Sequence, residues 1–403
     1  MPDLISVDEA HRLILERVRP LAAERVPIER AAGRVLAGTA TAEVDLPPFA
    51  SSAMDGFAVR AVDVSAGGTL PVVEEIAAGR PPSRALAAGE AMAISTGGVV
   101  PDGADTVVPL ELVQHEGPRV TFGEEARQGA NVRPRGGDTQ AGQPVLEAGT
   151  PLGPAQVGAL AAAGVSEVQC AKRPRVGILV TGTELRQPGE ALEPGQIYES
   201  NGLMLAAALG DAGAVPAQLG VVADDEEELR RTMERALLGF DMLVTSGGAS
   251  VGPHDLVRAV QAKLRAEEVF WGVSVKPGKP VAFSVRRDTP IFNLPGNPVS
   301  VLVTFELFVR PAVNALLGLP DPLPRFHTGR LAAPVRRNEH RDELIRARTA
   351  PREGDETLLR PLDGQESHMM VRSGTADALV YVEAGADELA AGSSVRYLEL
   401  ARP

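Results

Sequence analysis

Apolar and polar positions divide the chain into regions with different patterns. The first begins with Ser6-Val-Asp-Glu9, a capping box, after which apolar residues recur at helical spacing. Glycine and proline then become dense from about Asp45 to Gly149, between short aliphatic runs such as Ala91–Ile94 and Thr106–Leu110. Short runs bounded by turn residues predict a β-rich segment with long loops. A short helix closed by glycine is predicted at Val157–Gly164.

From Arg173 onward, apolar runs alternate with amphipathic stretches. Strands are predicted at Val176–Val180, Val215–Val222, Met242–Thr245 and Ile291–Asn293. Helices are predicted at about 202–213, at 225–239 behind a cap formed by Asp225 and Glu228, from near Asp255, and at about 298–317. Buried strands that alternate with helices indicate a doubly wound, mostly parallel α/β sheet.

The last segment, about Arg325–Pro403, follows the stiff proline-rich stretch Leu319–Pro324. It contains short alternating runs such as Leu379–Glu383 and Val395–Leu400. This pattern predicts a small all-β domain, and we expect a barrel.

Composition excludes several classes of protein. The formal net charge is -13, and no block of lysine and arginine is present, which argues against a nucleic-acid surface. The single cysteine, Cys170, excludes an internal disulfide, a zinc ribbon and an iron–sulfur cluster. The sequence has no apolar run of membrane-spanning length and no leader-like segment at its start, so we expect a soluble cytoplasmic protein without membrane partners.

Lysine use is concentrated in one tetrapeptide. Only four of the 40 lysine and arginine residues are lysines, and two of these lie in Lys276-Pro-Gly-Lys279. An ammonium group suits an oxyanion that approaches end-on. An acidic protein must overcome its own repulsive field to bind an anion, so a local cluster of cations is informative. The tetrapeptide therefore predicts an anion site, with chance or solubility as the alternative.

Three carboxylates follow predicted parallel strands: Glu184, Asp224 and Asp255. Ligands of open α/β sheets bind beyond the carboxyl ends of the strands. Hard oxygen ligands in loops at this edge suit Mg²⁺, which also takes oxygens from substrate phosphates. The alternative is that Asp224 and Asp255 only cap helices.

Two turns at the same edge are rich in glycine and proline. Ser246-Gly-Gly248 precedes a helix, where unpaired backbone N–H groups favour an anion. Asn293-Leu-Pro-Gly-Asn-Pro298 is a second, stiffer turn. A structural turn alone would explain its glycine and prolines, but it leaves the presence of asparagine at both Asn293 and Asn297 unexplained.

The sequence contains no GxxxxGK[ST] string, which disfavours a P-loop hydrolase. Scattered histidines disfavour zinc and a nucleophilic triad. Taken alone, the loops around Asp55 and Thr96 are ordinary turns.

Several strings together resemble one family over nearly the whole chain. In chain order they are Ser52-Ala-Met-Asp-Gly-Phe-Ala58, Ser95-Thr-Gly-Gly98, Gly103-Ala-Asp-Thr106, Gly129-Ala-Asn-Val-Arg133, Thr181-Gly-Thr-Glu-Leu185, Tyr198-Glu-Ser-Asn201, Ser246-Gly-Gly-Ala-Ser-Val-Gly-Pro-His-Asp255, Val275-Lys-Pro-Gly-Lys-Pro280 and Leu294-Pro-Gly-Asn-Pro-Val-Ser300. Each is weak alone, but the ordered set resembles the molybdopterin molybdenumtransferases, or molybdenum insertases, which include the E domain of gephyrin.

The resemblance implies a multidomain fold. Residues 1–45 and 146–170 would form a discontinuous N-terminal domain, and 46–145 a β-rich inserted arm. Residues 171–320 would form the molybdopterin-binding α/β domain, and 325–403 the C-terminal β-barrel. The resemblance also implies a homodimer in which the arm of one subunit faces the α/β domain of the other, so that the active site is shared.

The implied reaction inserts molybdate into adenylylated molybdopterin, with Mg²⁺-dependent release of AMP. The implied catalytic residues are Asp55, Thr96, Glu184, Asp224, Asp255, Lys276 and Lys279, with Glu184 and Asp255 as metal ligands. The implied substrate-binding residues are Ser246, Gly247, Gly248, Ser250, Pro295, Gly296, Asn297 and Pro298. Two positions depart from the family: Gly272 stands where many relatives carry a basic residue, and Gly137 where an acidic one is frequent.

Other functions remain open at this point. A homologous α/β domain adenylylates molybdopterin, but the arm and barrel favour insertion. A tungstate-specific paralogue would use an oxyanion of nearly the same size. A gephyrin-like scaffold is disfavoured because no fused second module is present. Transient contact with other molybdenum-cofactor proteins is a further expectation. We also expect a lysine in the polar loop at Lys276 to contribute little to folding stability.

Overall fold

The chain folds into two compact units. In this computed structural model, residues 4–223, 225–247, 256–353 and 356–400 are described, with backbone alone at 351–353. The larger unit comprises Met1–Glu24, Gly33–Ala37 and Cys170–Pro403, and the smaller comprises Arg25–Ala32 and Gly38–Gln169. Each unit therefore combines segments that are distant in sequence.

Helix α1 (Val7–Arg17) and strand β1 (Ala23–Pro27) come first in the chain. The predicted capping box forms in part, since the backbone N–H of Glu9 donates to the Ser6 hydroxyl at 3.1 Å. Ala10 and Ile14 of α1 are fully buried.

Short strands make up most of the smaller unit, as the glycine-rich pattern predicts. They are β2 (Ala40–Thr41), β3 (Ser51–Ser52), β4 (Gly56–Val59), β5 (Thr69–Ile76), β6 (Ala91–Ile94), β7 (Thr106–Pro109), β8 (Val113–Glu116), β9 (Arg119–Phe122), β10 (Val132–Arg133) and β11 (Pro144–Leu146). Six of them form a sheet of order β7-β4-β6-β5-β9-β8, while β3 pairs with β10 and β2 with β11. Phe57, Met92 and Phe122 lie in the apolar cores on this sheet. Helix α2 (Pro154–Ala162) and strand β12 (Glu167–Ala171) follow.

The α/β domain of the larger unit has the predicted alternation of strands and helices. Its strands are β13 (Arg175–Thr181), β14 (Leu185–Arg186), β15 (Ile197–Tyr198), β16 (Val215–Val222), β17 (Met242–Ser246), β18 (Glu267–Trp271), β19 (Val275–Lys276), β20 (Ala282–Arg286) and β21 (Thr289–Leu294). Its helices are α3 (Asn201–Asp211), α4 (Glu226–Gly239), α5 (Leu256–Lys263), α6 (Pro298–Thr304) and α7 (Arg310–Leu316), with a π-helical segment at Phe305–Val309 between the last two. The main sheet has the order β16-β13-β17-β21-β20-β18.

Helices cover both faces of this sheet. Neighbouring residues of β13 point to opposite faces, so Ile178 packs in one core with α3 and α6, while Leu179 packs in another with α4 and α5. The pairs β16–β13, β13–β17 and β17–β21 are parallel, whereas β20 is antiparallel to both of its neighbours. The predicted doubly wound, mostly parallel architecture is confirmed.

The long apolar helix from Pro298 to Leu316 is a core element of this domain. Its length and mean hydropathy of 1.5 would suit a membrane span, but 72% of it is buried within the protein. Pro311 has no N–H for the carbonyl of Leu307, four residues earlier. The His11 Nε2 atom lies 2.7 Å from that carbonyl and donates to it, and burial lowers the pKa of the imidazole. A side chain of α1 therefore satisfies a group that proline leaves without its usual donor.

The C-terminal segment is a closed five-stranded barrel, as predicted. Its elements are β22 (His327–Leu331), β23 (Val335–Arg336), β24 (Asp342–Glu353), β25 (Glu356–Pro361), α8 (Met370–Ser373), β26 (Ala378–Val382), β27 (Glu388–Leu389) and β28 (Ser394–Glu399). The order β24-β25-β22-β28-β26 closes because β26 also pairs with β24. Strand β19 of the α/β domain adds to the barrel by pairing with the start of β24.

Candidate functional site

The carboxyl ends of the parallel strands lie side by side at one edge of the α/β sheet. Thr181 at the end of β13 is the register partner of Val222, and Ser246 at the end of β17 pairs with Val180 and Leu294. The predicted loops therefore leave the sheet at neighbouring positions, where open α/β sheets bind ligands.

Asn201 ties three of these segments together. Its Nδ2 donates to the Ser246 hydroxyl at 3.0 Å and to the Gly296 carbonyl at 2.7 Å. The Ser246 hydroxyl in turn donates to the Pro295 carbonyl at 3.2 Å. Because both amide hydrogens are used, the orientation of the Asn201 side chain is fixed. The predicted turn residues Ser246, Pro295 and Gly296 are thus brought together.

Gly247 allows the turn after β17 to approach β13 closely. Its φ is +88°, and a Cβ on this residue would lie 2.3 Å from the Thr181 carbonyl oxygen. Only glycine fits this position. The Thr181 Oγ1 and Asn201 Oδ1 atoms are buried and have no hydrogen-bond partner among the described residues. Unpaired buried polar atoms are costly, so their presence at a strand edge favours a polar ligand here.

A satisfied polar layer lies directly behind this edge. Asn293 accepts from Thr245 at 2.9 Å and from Gln261 at 2.6 Å, and its Nδ2 donates to Gln261 at 3.1 Å. Asn293 is 2% exposed. The role of Asn293 is therefore structural, which explains the presence of asparagine at the first of the two asparagine positions in this turn.

Glu184 extends from the loop that follows β13. A Cβ on Gly182 would lie 2.7 Å from a carboxylate oxygen of Glu184, so glycine makes room for this carboxylate to fold back along the loop. Glu184 is exposed and forms no hydrogen bond or ion pair through its side chain with any described residue. An unpaired carboxylate in this loop suits a hard cation.

The lysine loop packs against the start of the long helix. A Cβ on Gly278 would lie 2.6 Å from a methyl carbon of Thr304 in α6, and the Gly278 φ is +116°. The Lys276 ammonium lies 3.0 Å from a carboxylate oxygen of Glu343 in the barrel strand β24. Among the lysines that the structure describes, Lys263 and Lys276 form ion pairs, whereas Lys172 and Lys279 form none. The two lysines of the predicted anion site are therefore not equivalent.

The barrel also reaches the second turn. Asn297 donates through Nδ2 to the Ser367 hydroxyl at 2.9 Å, and the Val299 N–H donates to the Ser367 carbonyl at 3.1 Å. The loop that carries Ser367 is shaped by Arg346, which is 1% exposed. Arg346 donates to the carbonyls of Gly364, Glu366 and Met369 and to Ser373, and burial lowers the pKa of its guanidinium.

Asp55 and Thr96 form a pair in the smaller unit. The Thr96 N–H and hydroxyl donate to one carboxylate oxygen of Asp55 at 2.6 and 3.1 Å, and both residues are exposed. The next residue, Gly56, has no room for a side chain, because a Cβ there would lie 2.1 Å from the Val108 carbonyl oxygen. Two loops that the sequence presents as separate turns thus form a single polar feature.

Four predicted site residues lie outside the described residues: Asp224, Gly248, Ser250 and Asp255. The cap of α4 is Asp225, whose carboxylate accepts from the Glu228 N–H at 2.7 Å. Within the described ranges, no group of three histidine, cysteine, aspartate or glutamate side chains could hold a metal ion. The predicted metal pair of Glu184 and Asp255 stays a prediction.

Sequence reasoning missed the groups that come from the barrel. Glu343 lies in a separate segment from Lys276, and no spacing rule relates the two. Ser367 likewise lies in the barrel, about 70 residues after the turn that it contacts through Asn297. Asn201 ends one of the strings that carry the family resemblance, and its bridging role is visible only in the fold.

The fold and the site together define a class of protein: a multidomain chain with a doubly wound α/β domain, a β-rich smaller unit and a C-terminal barrel. Three family models match it: the MoeA N-terminal region (domain I and II) at residues 5–164, a probable molybdopterin binding domain at 177–315, and the MoeA C-terminal region (domain IV) at 328–400.

Curated relatives and solved structures agree with these matches. Molybdopterin molybdenumtransferase 2 of Mycobacterium tuberculosis is 37% identical over 406 residues, which cover 98% of this chain and 99% of the relative. The molybdopterin molybdenumtransferase of Bacillus subtilis is 32% identical, with 98% and 94% coverage. A crystal structure of the molybdopterin biosynthesis MoeA protein from Pyrococcus horikoshii superposes with a TM-score of 0.84 at 32% identity, with 98% and 99% coverage.

The chain belongs to the MoeA family of molybdopterin molybdenumtransferases, transferases of molybdenum cofactor biosynthesis. The family resemblance read from the sequence is thereby confirmed, as is the predicted fold class.

Proposed function

We propose that the protein inserts molybdate into the dithiolene of adenylylated molybdopterin and releases AMP. Two thiol protons and one molybdate oxygen leave as water when the two sulfur–molybdenum bonds form. Cleavage of the phosphoanhydride consumes one water, so the overall reaction balances. Both substrates present oxyanions, and the protein offers Lys279, with no described carboxylate partner, in a loop that packs against α6, the helix that follows the turn at Gly296. This unpaired ammonium in an acidic protein is the observation that carries the proposal.

Most of the predicted site residues that the structure describes have a role in this proposal. Lys279 holds oxyanion charge, Lys276 adds to the positive potential of the same loop, and backbone N–H groups of the two turns, including Gly247 and Gly296, approach phosphate oxygens. Ser246, Pro295 and Asn297 fix the shape of the turns through the hydrogen bonds described above. Asp55 orients Thr96, and this pair would complete the site of a partner subunit in a homodimer.

Mg²⁺ is the proposed cofactor, with Glu184 and Asp255 as the residues that would hold it. The exposed carboxylate of Glu184, without a described partner, fits a hard cation. When bound, Mg²⁺ would polarise the phosphoanhydride. We further propose a cytoplasmic location and transient contact with other molybdenum-cofactor proteins, to which the product must pass.

The direct test combines purified protein, adenylylated molybdopterin, Mg²⁺ and molybdate. AMP release that depends on molybdate and matches cofactor formation would support insertion. A parallel reaction with molybdopterin and ATP tests the adenylylation step, and a third with tungstate tests the choice of oxyanion. Formation of adenylylated molybdopterin from ATP, without molybdate-dependent AMP release, would contradict the proposal.

Removing the proposed metal ligand should change the Mg²⁺ requirement. Glu184→Gln keeps the size of the side chain but removes its charge, so we expect the Mg²⁺ concentration for half-maximal AMP release to rise about tenfold, or about 1.4 kcal/mol. Substrate binding measured without metal should change less than twofold. Glu190→Gln, in the same exposed segment, is the matched control and should behave as wild type. AMP release that persists in EDTA would contradict a catalytic metal.

A further inference from the structure

Glu343 is a buried carboxylate whose described cationic partner belongs to the proposed anion site. It is 7% exposed and lies near the start of β24, where its backbone is the register partner of Lys276. Its carboxylate lies 3.0 Å from the Lys276 ammonium. Counting side-chain atoms alone, Glu343 is 9% exposed and Lys276 is 44% exposed. The barrel thus supplies a negative charge directly to the lysine loop.

This ion pair restricts what Lys276 can do. A ligand that drew Lys276 away would leave a buried carboxylate without its counter-charge, which is strongly unfavourable. An oxyanion that shared Lys276 would lie near the Glu343 charge and be repelled by it. Lys279, which has no described carboxylate partner, carries the available positive charge of the loop.

We propose that Glu343 is an affinity-determining residue, a built-in counter-ion that keeps the binding of free tetrahedral oxyanions at the lysine loop weak. The inference rests on the proposed function, because it assumes that the loop binds such an anion. A site that transfers its oxyanion to a dithiolene must release it with the product. With Glu343 present, the two lysines and the glutamate carry a net charge of about +1 rather than about +2, which lowers the affinity for a dianion.

The test is binding of inorganic molybdate to the full-length protein by calorimetry at low ionic strength. Glu343→Gln should bind molybdate about tenfold more tightly than wild type, a change of about 1.4 kcal/mol. Perrhenate, a tetrahedral monoanion, should gain only about threefold, because the electrostatic energy scales with the charge of the ion. Both increases in affinity should become smaller as salt is added, because salt screens the charges.

Glu356→Gln is the matched control. Glu356 lies in the same barrel and pairs with Arg330, and its substitution changes the net charge of the protein by the same amount. It begins β25 as the register partner of Glu353, at the opposite end of β24 from Glu343. Molybdate affinity in this variant should stay within about twofold of wild type, because the charge removed is distant from the lysine loop.

Two further variants separate the possible outcomes. Lys279→Ala should abolish molybdate binding; if it does not, the anion site of the proposed function is wrong. If Lys279→Ala abolishes binding but Glu343→Gln leaves the affinity unchanged or weaker, only the role of Glu343 is overturned.

Should Glu343→Gln fail to fold, the double variant Lys276→Gln/Glu343→Gln replaces the pair with neutral side chains of similar size. It keeps the net charge of the loop, so its molybdate affinity should be at least that of wild type. A tenfold loss would show that Lys276, and not Lys279, makes the main contact, and would overturn the proposal.

Discussion

Lys279→Ala is expected to lower the rate of molybdate-dependent AMP release about 100-fold. The Lys279 ammonium has no described counter-ion, so its charge is available to a reacting oxyanion, and loss of one such group typically costs about 10²- to 10³-fold in rate. Folding should be unaffected, because the loop is held by the Lys279 backbone carbonyl, which accepts from the Val273 N–H at 3.1 Å. The measurements are initial rates at saturating substrate and thermal unfolding.

The control for this variant is Lys263→Ala, which removes a lysine from α5 of the same domain. Lys263 is exposed and pairs with Glu226 on the surface, so its loss should change neither rate nor stability appreciably. A Lys279→Ala protein with near-native turnover would show that the lysine loop does not act on the substrate.

The structure changes the expectation for the neighbouring lysine. The sequence presents Lys276 as a loop residue with little part in stability, but its ammonium compensates the buried carboxylate of Glu343. Removing Lys276 leaves that carboxylate without its counter-charge, so a loss of activity in Lys276→Ala would combine chemistry with destabilisation. Lys279 is therefore the cleaner probe of the anion site.

Features set by neighbouring residues could be predicted from the sequence. The caps at Ser6 and Asp225 work through side chains that reach N–H groups three residues away, so their local pattern is sufficient. The apolar runs of β13 and β17 reflect burial on both faces, which a sequence displays directly. For these elements, local chemistry and tertiary structure agree.

Features that depend on distant pairing could not be predicted. Strand β19 is two residues long, and its pairing with β24 of the barrel leaves no trace in the pattern around Val275. The Lys276–Glu343 pair and the Asn297–Ser367 hydrogen bond both arise from this docking of barrel and α/β domain. Likewise, the bond between Asp55 and Thr96 depends on the fold of the arm. Family resemblance, and not periodicity, marked these last two residues.

Mixing two inactive variants is expected to restore about a quarter of native activity. Asp55 and Thr96 belong to the smaller unit and Lys279 to the larger, and in the proposed homodimer the arm of one subunit completes the site of the other. Asp55→Ala and Lys279→Ala should each be nearly inactive alone. If subunits exchange randomly, about half of the dimers are mixed, and each mixed dimer carries one intact site of two. AMP release after incubation of the two proteins measures the recovery.

The matched control mixes Lys279→Ala with Glu184→Ala. Both substitutions fall in the α/β domain, so every site in a mixed dimer keeps one defect and activity should stay at the level of the separate variants. Subunit exchange is followed independently with two affinity tags. Confirmed exchange between the Asp55→Ala and Lys279→Ala proteins, without recovered AMP release, would mean that Asp55 acts within its own subunit, because a shared site would necessarily have been rebuilt in the mixed dimers.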